Sequence, residues 1–456
     1  MNGLRLSDYT IPVELESNEG KFMLIHGYTG ALDVIGRDVL EQIRKNPLEG
    51  SLSSNAIDRL LKRGYLTTKD KEEEQMYVER FCKILSKRNK LLLKKNFTLV
   101  VTYNCNFNCP YCFEKELMGG KYKNVGKTIS KKLVDNFFDT IPIIEPNKYL
   151  RNNVISLFGG EPLLEENIDL VKYIVDQGKE RGYVFTATTN GYDLPVYENL
   201  LGNKLIQGVQ ITIDGCQSVH DSRRMHSIYG GTFNKIIRNI KYFLSKGVFV
   251  RVRINIDEDN IDELDKLDSY FKENKLYDFE RFSVYAAYIS GDLNFNPRSY
   301  QVSKRKCITQ RYFLEKLKKY STGITFEQQL YSNFYNAIKN SKVLNLSPSH
   351  CNARFGSYIF DPFGNIYSCL EAIGTTDDVI GTYYNELRWN KENKDKWFNQ
   401  EIGLDEECKK CKYILLCGRG CYAKNRMVDK KGEKCDDFPI RLRSVARKVY
   451  SDLKGF

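Results

Sequence analysis

The stretch Cys105-Asn106-Phe107-Asn108-Cys109-Pro110-Tyr111-Cys112 constrains this chain more than any other. Its three cysteines, at spacings of four and three residues, directly follow the apolar run Phe97 to Tyr103. Such a run reads as a buried strand, so the cysteines fall on the loop leaving its C-terminal end. Three thiolates can hold three corners of a cubic iron–sulfur cluster and leave the fourth iron open to a small molecule. The alternatives are a zinc site or three structural thiols. Zinc sites usually come from paired C-x-x-C knuckles completed by a fourth Cys or His, and the residues after Cys112 offer no obvious fourth ligand.

With aromatic Tyr111 before the last cysteine, Cys105, Cys109 and Cys112 resemble the CxxxCxΦC signature of the radical SAM enzymes. The resemblance implies a 4Fe–4S cluster whose open iron chelates S-adenosyl-L-methionine. It also implies a 5′-deoxyadenosyl radical that takes a hydrogen atom from substrate, the cofactor carrying the chemistry and the protein supplying position and shielding.

Composition sets outer limits. A chain of 456 residues with 41% apolar content can build several packed cores. No apolar run reaches the ~18 residues of a membrane span, and the N-terminus lacks a signal-peptide pattern. These readings predict a soluble cytoplasmic protein with no membrane partner. Thirteen cysteines then point to metal or redox chemistry rather than disulfides. The net charge of +12 is scattered and interleaved with Asp and Glu, which argues against nucleic acid and suits an acidic peptide.

Along the chain, Phe22–Ile25 and Ala31–Ile35 flank a Tyr28-Thr29-Gly30 turn and read as a hairpin. Val39, Leu40 and Ile43 follow at helical spacing, and Ser53 or Ser54 can cap a helix carrying Ile57, Leu60 and Leu61. This order resembles the winged-helix modules that bind the leader of a precursor peptide by adding it as a strand at a sheet edge; a plain packing extension is the other reading. The charged run Thr67 to Lys95 reads as a solvated linker helix. From Phe97 to about Tyr288, six strand–helix units predict a parallel sheet curled into a partial (β/α)6 TIM-like barrel, an α/β fold with ligand sites at the strands' C-terminal ends. The predicted boundaries are 1–75 for the N-terminal module, 76–95 for the linker, 96–290 for the barrel, 291–350 for a bridge and 351–456 for a C-terminal iron–sulfur domain.

Further motifs fall at the predicted strand ends. Gly159-Gly160-Glu161-Pro162 follows the second strand, where glycines permit close backbone approach to a ligand. Within the resemblance this GGE-type motif holds the methionine amino group. Asn190 in Thr188-Thr189-Asn190-Gly191 becomes a ribose-side contact, or else an ordinary Asn-Gly turn. Thr212-Ile213-Asp214-Gly215 and His220-Asp221-Ser222-Arg223-Arg224 resemble the SxDG…HDxxR segment of radical SAM maturases. That implies cofactor contacts by Thr212 and Arg224, the arginine pairing with the cofactor carboxylate. His220 reads as a structural hydrogen-bonding residue rather than a general base. The strand end around Ile256 is expected to touch the adenine.

The cysteines return past residue 350. Cys351, Gly364, Cys369, Cys408, Cys411, Cys417, Cys421 and Cys435 follow C-x(12)-G-x(4)-C, then C-x2-C-x5-C-x3-C, then C. This resembles the seven-cysteine SPASM extension, which implies two auxiliary 4Fe–4S clusters. By analogy Cys408, Cys411, Cys417 and Cys435 hold the distal one, and Cys351, Cys369 and Cys421 the nearer one. No cysteine lies among Asn345–His350, so one iron of the nearer cluster is left to His350, Cys307, water or a substrate thiolate. The resemblance as a whole implies an oxidoreductase that cross-links a ribosomally made peptide, through a Cys thioether, supplied with electrons by a flavodoxin or ferredoxin. The alternatives are another SPASM peptide oxidation or carbon–carbon cross-linking, or an anaerobic sulfatase-maturing enzyme forming formylglycine, the last disfavoured because Leu370 stands after Cys369 where an acid is expected.

Overall fold

The computed structural model describes residues 3–15, 20–45, 47, 52–114, 126–202, 205–289, 324, 328–398, 406–423 and 438–454. Cys307 and Cys435 lie outside these residues. The chain divides into two compact units. One comprises Met1–Leu91, Glu327–Cys351 and Glu401–Phe456; the other comprises Leu92–Phe326 and Asn352–Gln400. The expected C-terminal segment 351–456 is therefore shared between the units.

The second unit is built on a mixed sheet of ten strands. Its parallel part runs through β6 (Lys95–Thr102), β7 (Arg151–Gly159), β8 (Val184–Thr189), β9 (Ile206–Thr212), β10 (Phe249–Ile256) and β11 (Phe282–Tyr288). These are the six predicted barrel strands, their ends shifted by a few residues. The alternation along β10 shows the layering. Val250, Val252, Ile254 and Ile256 are fully buried, whereas Phe249, Arg251, Arg253 and Asn255 occupy the half-buried opposite face. The outer layer is amphipathic helices. In Lys131–Ile144, Ser130 caps the Leu133 N–H, and Leu133, Val134, Phe137, Phe138 and Ile141 are buried at helical spacing.

What the local pattern did not disclose is the other edge of this sheet. β12 (Ser357–Phe360) pairs parallel with β6, from Ser357 opposite Asn96 to Phe360 opposite Leu99. β13 (Asn365–Tyr367), β14 (Gly381–Thr382) and β15 (Arg388–Trp389) continue it antiparallel. Val100 and Tyr103 then share one core with Ile359, Tyr367 and Ile373. The segment after Cys351 thus extends the barrel's sheet because its apolar face completes the core beside β6.

In the first unit, β2 (Thr10–Glu14), β3 (Lys21–His26) and β4 (Leu32–Gly36) form an antiparallel sheet, and β1 (Arg5–Leu6) pairs with β5 (Leu66–Thr67). Helices Arg37–Lys45 and Ser54–Arg63 pack on it through Leu40, Ile43 and Leu60, in a core with Phe22, Leu24 and Tyr65. Ser53 caps the second helix at the Ala56 N–H, and Gly64, at φ 90°, closes it. Here two expectations are corrected. β3 lies in the middle of its sheet, between the edge strands β2 and β4, so of the two hairpin strands expected to offer the leader an edge, Phe22–Ile25 and Ala31–Ile35, only the second has one. And the charged stretch expected to be solvated forms helix Lys71–Leu92, whose Val78, Cys82 and Leu85 are buried with Tyr9, Tyr28, Ile414 and Leu415. Charge on the remaining face hid that stripe.

Candidate functional site

The cysteine loop leaves β6 at the C-terminal edge of the sheet, and backbone contacts from three segments hold it there. Gly160 and Glu161 donate their N–H groups to the Thr102 and Asn104 carbonyls at 3.0 and 2.7 Å. A Cβ at Gly160 would stand 2.4 Å from the Asn104 oxygen, and one at Gly159, where φ is 129°, only 2.1 Å from that of Thr102. These glycines let the Gly159–Glu161 turn press against the start of the cysteine loop, so the close approach is to protein backbone. On the far side, Asn108 N–H donates to the Met225 carbonyl at 3.0 Å and Ser227 N–H to that of Asn106 at 2.8 Å. Sequence reasoning missed this strap.

The Glu161 carboxylate is buried and accepts from Leu163 N–H at 2.8 Å, Thr189 Oγ1 at 2.6 Å and Asn190 N–H at 2.5 Å. Burial pushes its pKa up to about 7 against the pull of these donors. Asn190 in turn donates through Nδ2 to Asn106 Oδ1 at 2.7 Å, and Asn106 Nδ2 donates to Asp193 at 2.9 Å. Glu161 and Asn190 therefore tie the turn after β7, the end of β8 and the cysteine loop into one piece.

The thiols of Cys105, Cys109 and Cys112 lie close enough for their charges to interact, and all three are shielded from solvent. Burial, then the Glu114 charge, pushes Cys112 up to about 12; burial, then Glu161, raises Cys105. Among the described residues no three His, Cys, Asp or Glu side chains crowd around a single-ion position. Glu114, two residues beyond Cys112, is buried with its Oε1 unbonded, and burial followed by the Glu371 charge pushes it up to about 8. No motif in the sequence pointed to this residue.

Tyr111 joins the loop to the ends of β9 and β10. Its hydroxyl donates to Asp214 Oδ2, accepts from the Arg224 guanidinium at 2.7 Å and lies 3.5 Å from Asn255 Nδ2. The two neighbouring arginines both keep a buried guanidinium nitrogen without a hydrogen-bond partner, but they differ in their ion pairs. Arg223 contacts both Asp257 oxygens, at 3.0 and 2.8 Å, and lies 3.6 Å from Asp214. Arg224 is buried, makes no ion pair among the described residues, and its Nε has no hydrogen-bond partner. Thr212 likewise makes no side-chain hydrogen bond among the described residues.

His220 is structural. Its Nδ1 accepts from the Asp214 N–H at 3.3 Å, so the ring proton sits on Nε2 and is donated to Thr232 Oγ1 at 3.1 Å. That hydroxyl donates to the Arg224 carbonyl at 2.7 Å. Burial, then the two arginines, keep the ring neutral. Ile256 departs from expectation: it is fully buried on the helix-facing side of β10, and Asn255 is the residue turned toward Tyr111.

In the first unit, Cys408, Cys411 and Cys417 share one small knot, closed by Cys411 N–H on the Cys408 carbonyl and Cys417 N–H on that of Tyr413. Gly418, Arg419 and Gly420 then turn the chain with φ of 62°, 65° and 68°. Cys421 follows, and His350 N–H donates to the Gly418 carbonyl one residue before Cys351. Cys369 belongs to the other unit, at the start of the turn Leu370–Ala372.

Residues 99–270 match the family model of the radical SAM superfamily. A cysteine-type anaerobic sulfatase-maturating enzyme of Clostridium novyi is 24% identical over 340 residues, 70% of this chain and 85% of that protein. The radical SAM cyclopropyl synthase TigE of Paramaledivibacter caminithermalis is 22% identical over 477 residues, 97% of this chain and 95% of its own. A solved structure of native anSMEcpe with bound AdoMet and a Cp18Cys peptide aligns with a TM-score of 0.54 at 15% identity, over 80% of this chain and 98% of that one. At that identity the likeness establishes a common fold.

Proposed function

The chain carries a radical SAM domain, and on that premise we propose that it is an S-adenosylmethionine-dependent maturase of a ribosomally made precursor peptide, forming a cross-link through a cysteine sulfur. Cys105, Cys109 and Cys112 would hold the 4Fe–4S cluster, and Cys351, Cys369, Cys408, Cys411, Cys417, Cys421 and Cys435 two auxiliary ones. When bound, cluster and cofactor supply a carbon radical able to take a hydrogen atom from an unactivated position. The protein's own part is positional. Arg224 would pair with the cofactor's carboxylate and Thr212 would offer it a hydroxyl, while Tyr111, bonded to Asp214 and close to Asn255, holds the Arg224 guanidinium.

The observation that carries this reading is the buried Arg224 with no anion of its own, beside the thiol loop at the strands' C-terminal ends. Burying such a group is costly unless a bound anion completes it. A peptide substrate finds support in the activities named for the relatives and in the peptide held by anSMEcpe. The leader would join the edge of β4. His26 N–H donates to the Ala31 carbonyl, so alternation along the ladder turns Val34's backbone groups outward, and its side chain is exposed.

The test is anaerobic incubation of cluster-loaded enzyme with reductant, cofactor and a short cysteine-bearing precursor peptide. The expected outcome is 5′-deoxyadenosine together with a peptide lighter by two hydrogen atoms and short of one alkylatable thiol. The end-to-end match to a cyclopropyl synthase favours one other outcome, a new carbon–carbon bond with every thiol still alkylatable. A peptide that returns unchanged while the cofactor is consumed refutes the maturase reading.

A further inference from the structure

The inner face of the barrel is cationic, with no acidic residue on its parallel strands. None of the six parallel strands from β6 to β11 carries an Asp or Glu, yet β10 places Arg251 and Arg253 on the face opposite its buried valines and isoleucines. Asn255 occupies that same face and reaches the Tyr111 hydroxyl, so the face is the one the cysteine loop overhangs. Arg251 stands opposite Gln210 and Ser283, and Arg253 opposite Thr212 and Tyr285. The bond from Tyr285 to Gln210 Oε1, at 2.9 Å, spans these rows and fixes the frame.

Neither arginine has an ion-pair partner among the described residues. Among the described residues Arg251 makes no hydrogen bond or ion pair, and its nearest aromatic contact is the Phe249 ring at 5.6 Å. Its Nε and the Oγ of Ser283 beside it are both buried without a partner. Arg253 bonds only to the neutral Asn255 Oδ1, at 2.8 Å. Two guanidinium groups and a hydroxyl are thus gathered on one wall, with the Nε of Arg251 and the Oγ of Ser283 left without a partner, a state that a group with acceptor oxygens would relieve.

We propose that Arg251, Arg253 and Ser283 form the seat for a carboxylate carried by the substrate. Planar guanidinium forks match a carboxylate's two oxygens, and the Ser283 hydroxyl can donate a further bond. At ~3.3 Å per residue, Arg253 lies about 7 Å and Arg251 about 13 Å along the strand from the Asn255 row. A substrate held there points its carboxylate down the barrel and leaves a carbon a few bonds away at the level of Tyr111 and Arg224. The site selects a residue bearing a carboxylate, either an Asp or Glu side chain or the peptide's C-terminus. This rests on the reading of the chain as a peptide-modifying enzyme, whose own test is the peptide mass assay above.

Three small probes measured by equilibrium dialysis against the cluster-loaded, cofactor-bound protein test the seat. N-acetylaspartate α-amide carries only a side-chain carboxylate, N-acetylalanine only a terminal one, and N-acetylalanine amide neither. One acidic probe is expected to bind at least tenfold tighter than the neutral amide, and which one does so assigns the source. Arg251→Gln and Arg253→Gln should abolish that preference, Arg253→Lys should keep part of it, and iron content and cofactor affinity should stay as in the native protein. Equal binding of all three probes to the native protein overturns the proposal, whatever the variants do. So does a preference that survives both glutamine variants, or a tenfold loss of cofactor affinity in them, which would make these arginines cofactor ligands. Because the probes need no turnover, failure of the seat and failure of the maturase reading remain separate results.

Discussion

Replacing Arg224 and Arg223 one at a time by alanine should produce two different defects. Arg224 is buried, bonds Tyr111 at 2.7 Å and has an Nε without a partner. A hydrogen bond to a charged group contributes about 1.5–3 kcal/mol. At ~1.4 kcal/mol per factor of ten, Arg224→Ala should weaken S-adenosylmethionine binding by roughly 10- to 150-fold. Tyr111 keeps its bond to Asp214 in that variant, so the cysteine loop and the iron should stay. Arg223 is already engaged by Asp257 and Asp214. Its removal leaves two poorly solvated carboxylates unpaired, a destabilisation of about 3–5 kcal/mol. Arg223→Ala should therefore lower the unfolding temperature while the folded fraction binds cofactor normally. Equilibrium binding and thermal unfolding on anaerobically reconstituted protein decide between them. Native-like affinity in Arg224→Ala, or an affinity loss in Arg223→Ala at unchanged Tm, would refute the division of labour.

Replacing Cys105, Cys109 and Cys112 together by alanine should lower total iron by one cluster from about twelve atoms and abolish 5′-deoxyadenosine formation; an unchanged iron count would remove the assignment. Gly160→Ala pushes a Cβ to 2.4 Å from the Asn104 oxygen and 2.7 Å from that of Tyr103, so stability should fall by on the order of 2–3 kcal/mol, read as a lower denaturation midpoint. Val34→Pro removes an outward N–H and spares the β3 ladder, so uncoupled cofactor cleavage should persist while turnover of leader-bearing peptide drops at least tenfold. Burial depresses His26 to about 3 from an ordinary 6.5. The unfolded chain therefore takes up a proton below about pH 6.5 that the folded chain refuses. Stability should fall by about 1.4 kcal/mol per pH unit as pH drops from about 6 toward 3, and denaturation of His26→Gln at stepped pH should show that slope reduced.

The parts of the fold that could be read in advance are those whose evidence is local. β10 alternates cleanly from Phe249 to Ile256, and helix Lys131–Ile144 carries its apolar residues at helical spacing behind a serine cap. What stayed hidden was pairing at long range. β12 lies some 250 residues from β6 in sequence, and nothing in Ser357–Phe360 names its neighbour. β2 contains Pro12, which argues against a strand, yet it is a sheet edge, where a missing N–H is tolerated. Missing β2 made β3 look like an open edge. In helix Lys71–Leu92 four glutamates and four lysines outweighed a single buried stripe through Val78, Cys82 and Leu85.

The candidate site divides by whether each motif residue's polar atoms are already bonded within the protein. Glu161 accepts three hydrogen bonds, Asn190 bridges to Asn106, and the Gly159–Gly160 turn lies against backbone. The glycines were expected to let backbone approach a ligand, and Glu161 and Asn190 to lie beside it; within the protein these same residues hold the cysteine loop against the strand ends. Arg224 and Thr212 retain bonding capacity at the same place, and that Arg224 rather than Arg223 lacks an ion pair among the described residues could not have been foreseen from a motif that offers both arginines side by side. A motif records both jobs in the same letters, because a brace and a ligand contact both demand a particular side chain at a particular strand end. Only the hydrogen-bond inventory separates them, and it does so again deeper in the barrel. There Tyr285 and Gln210 satisfy each other while Arg251 and Ser283 do not, which is why the lumen, absent from every recognisable motif, is where substrate choice should be sought.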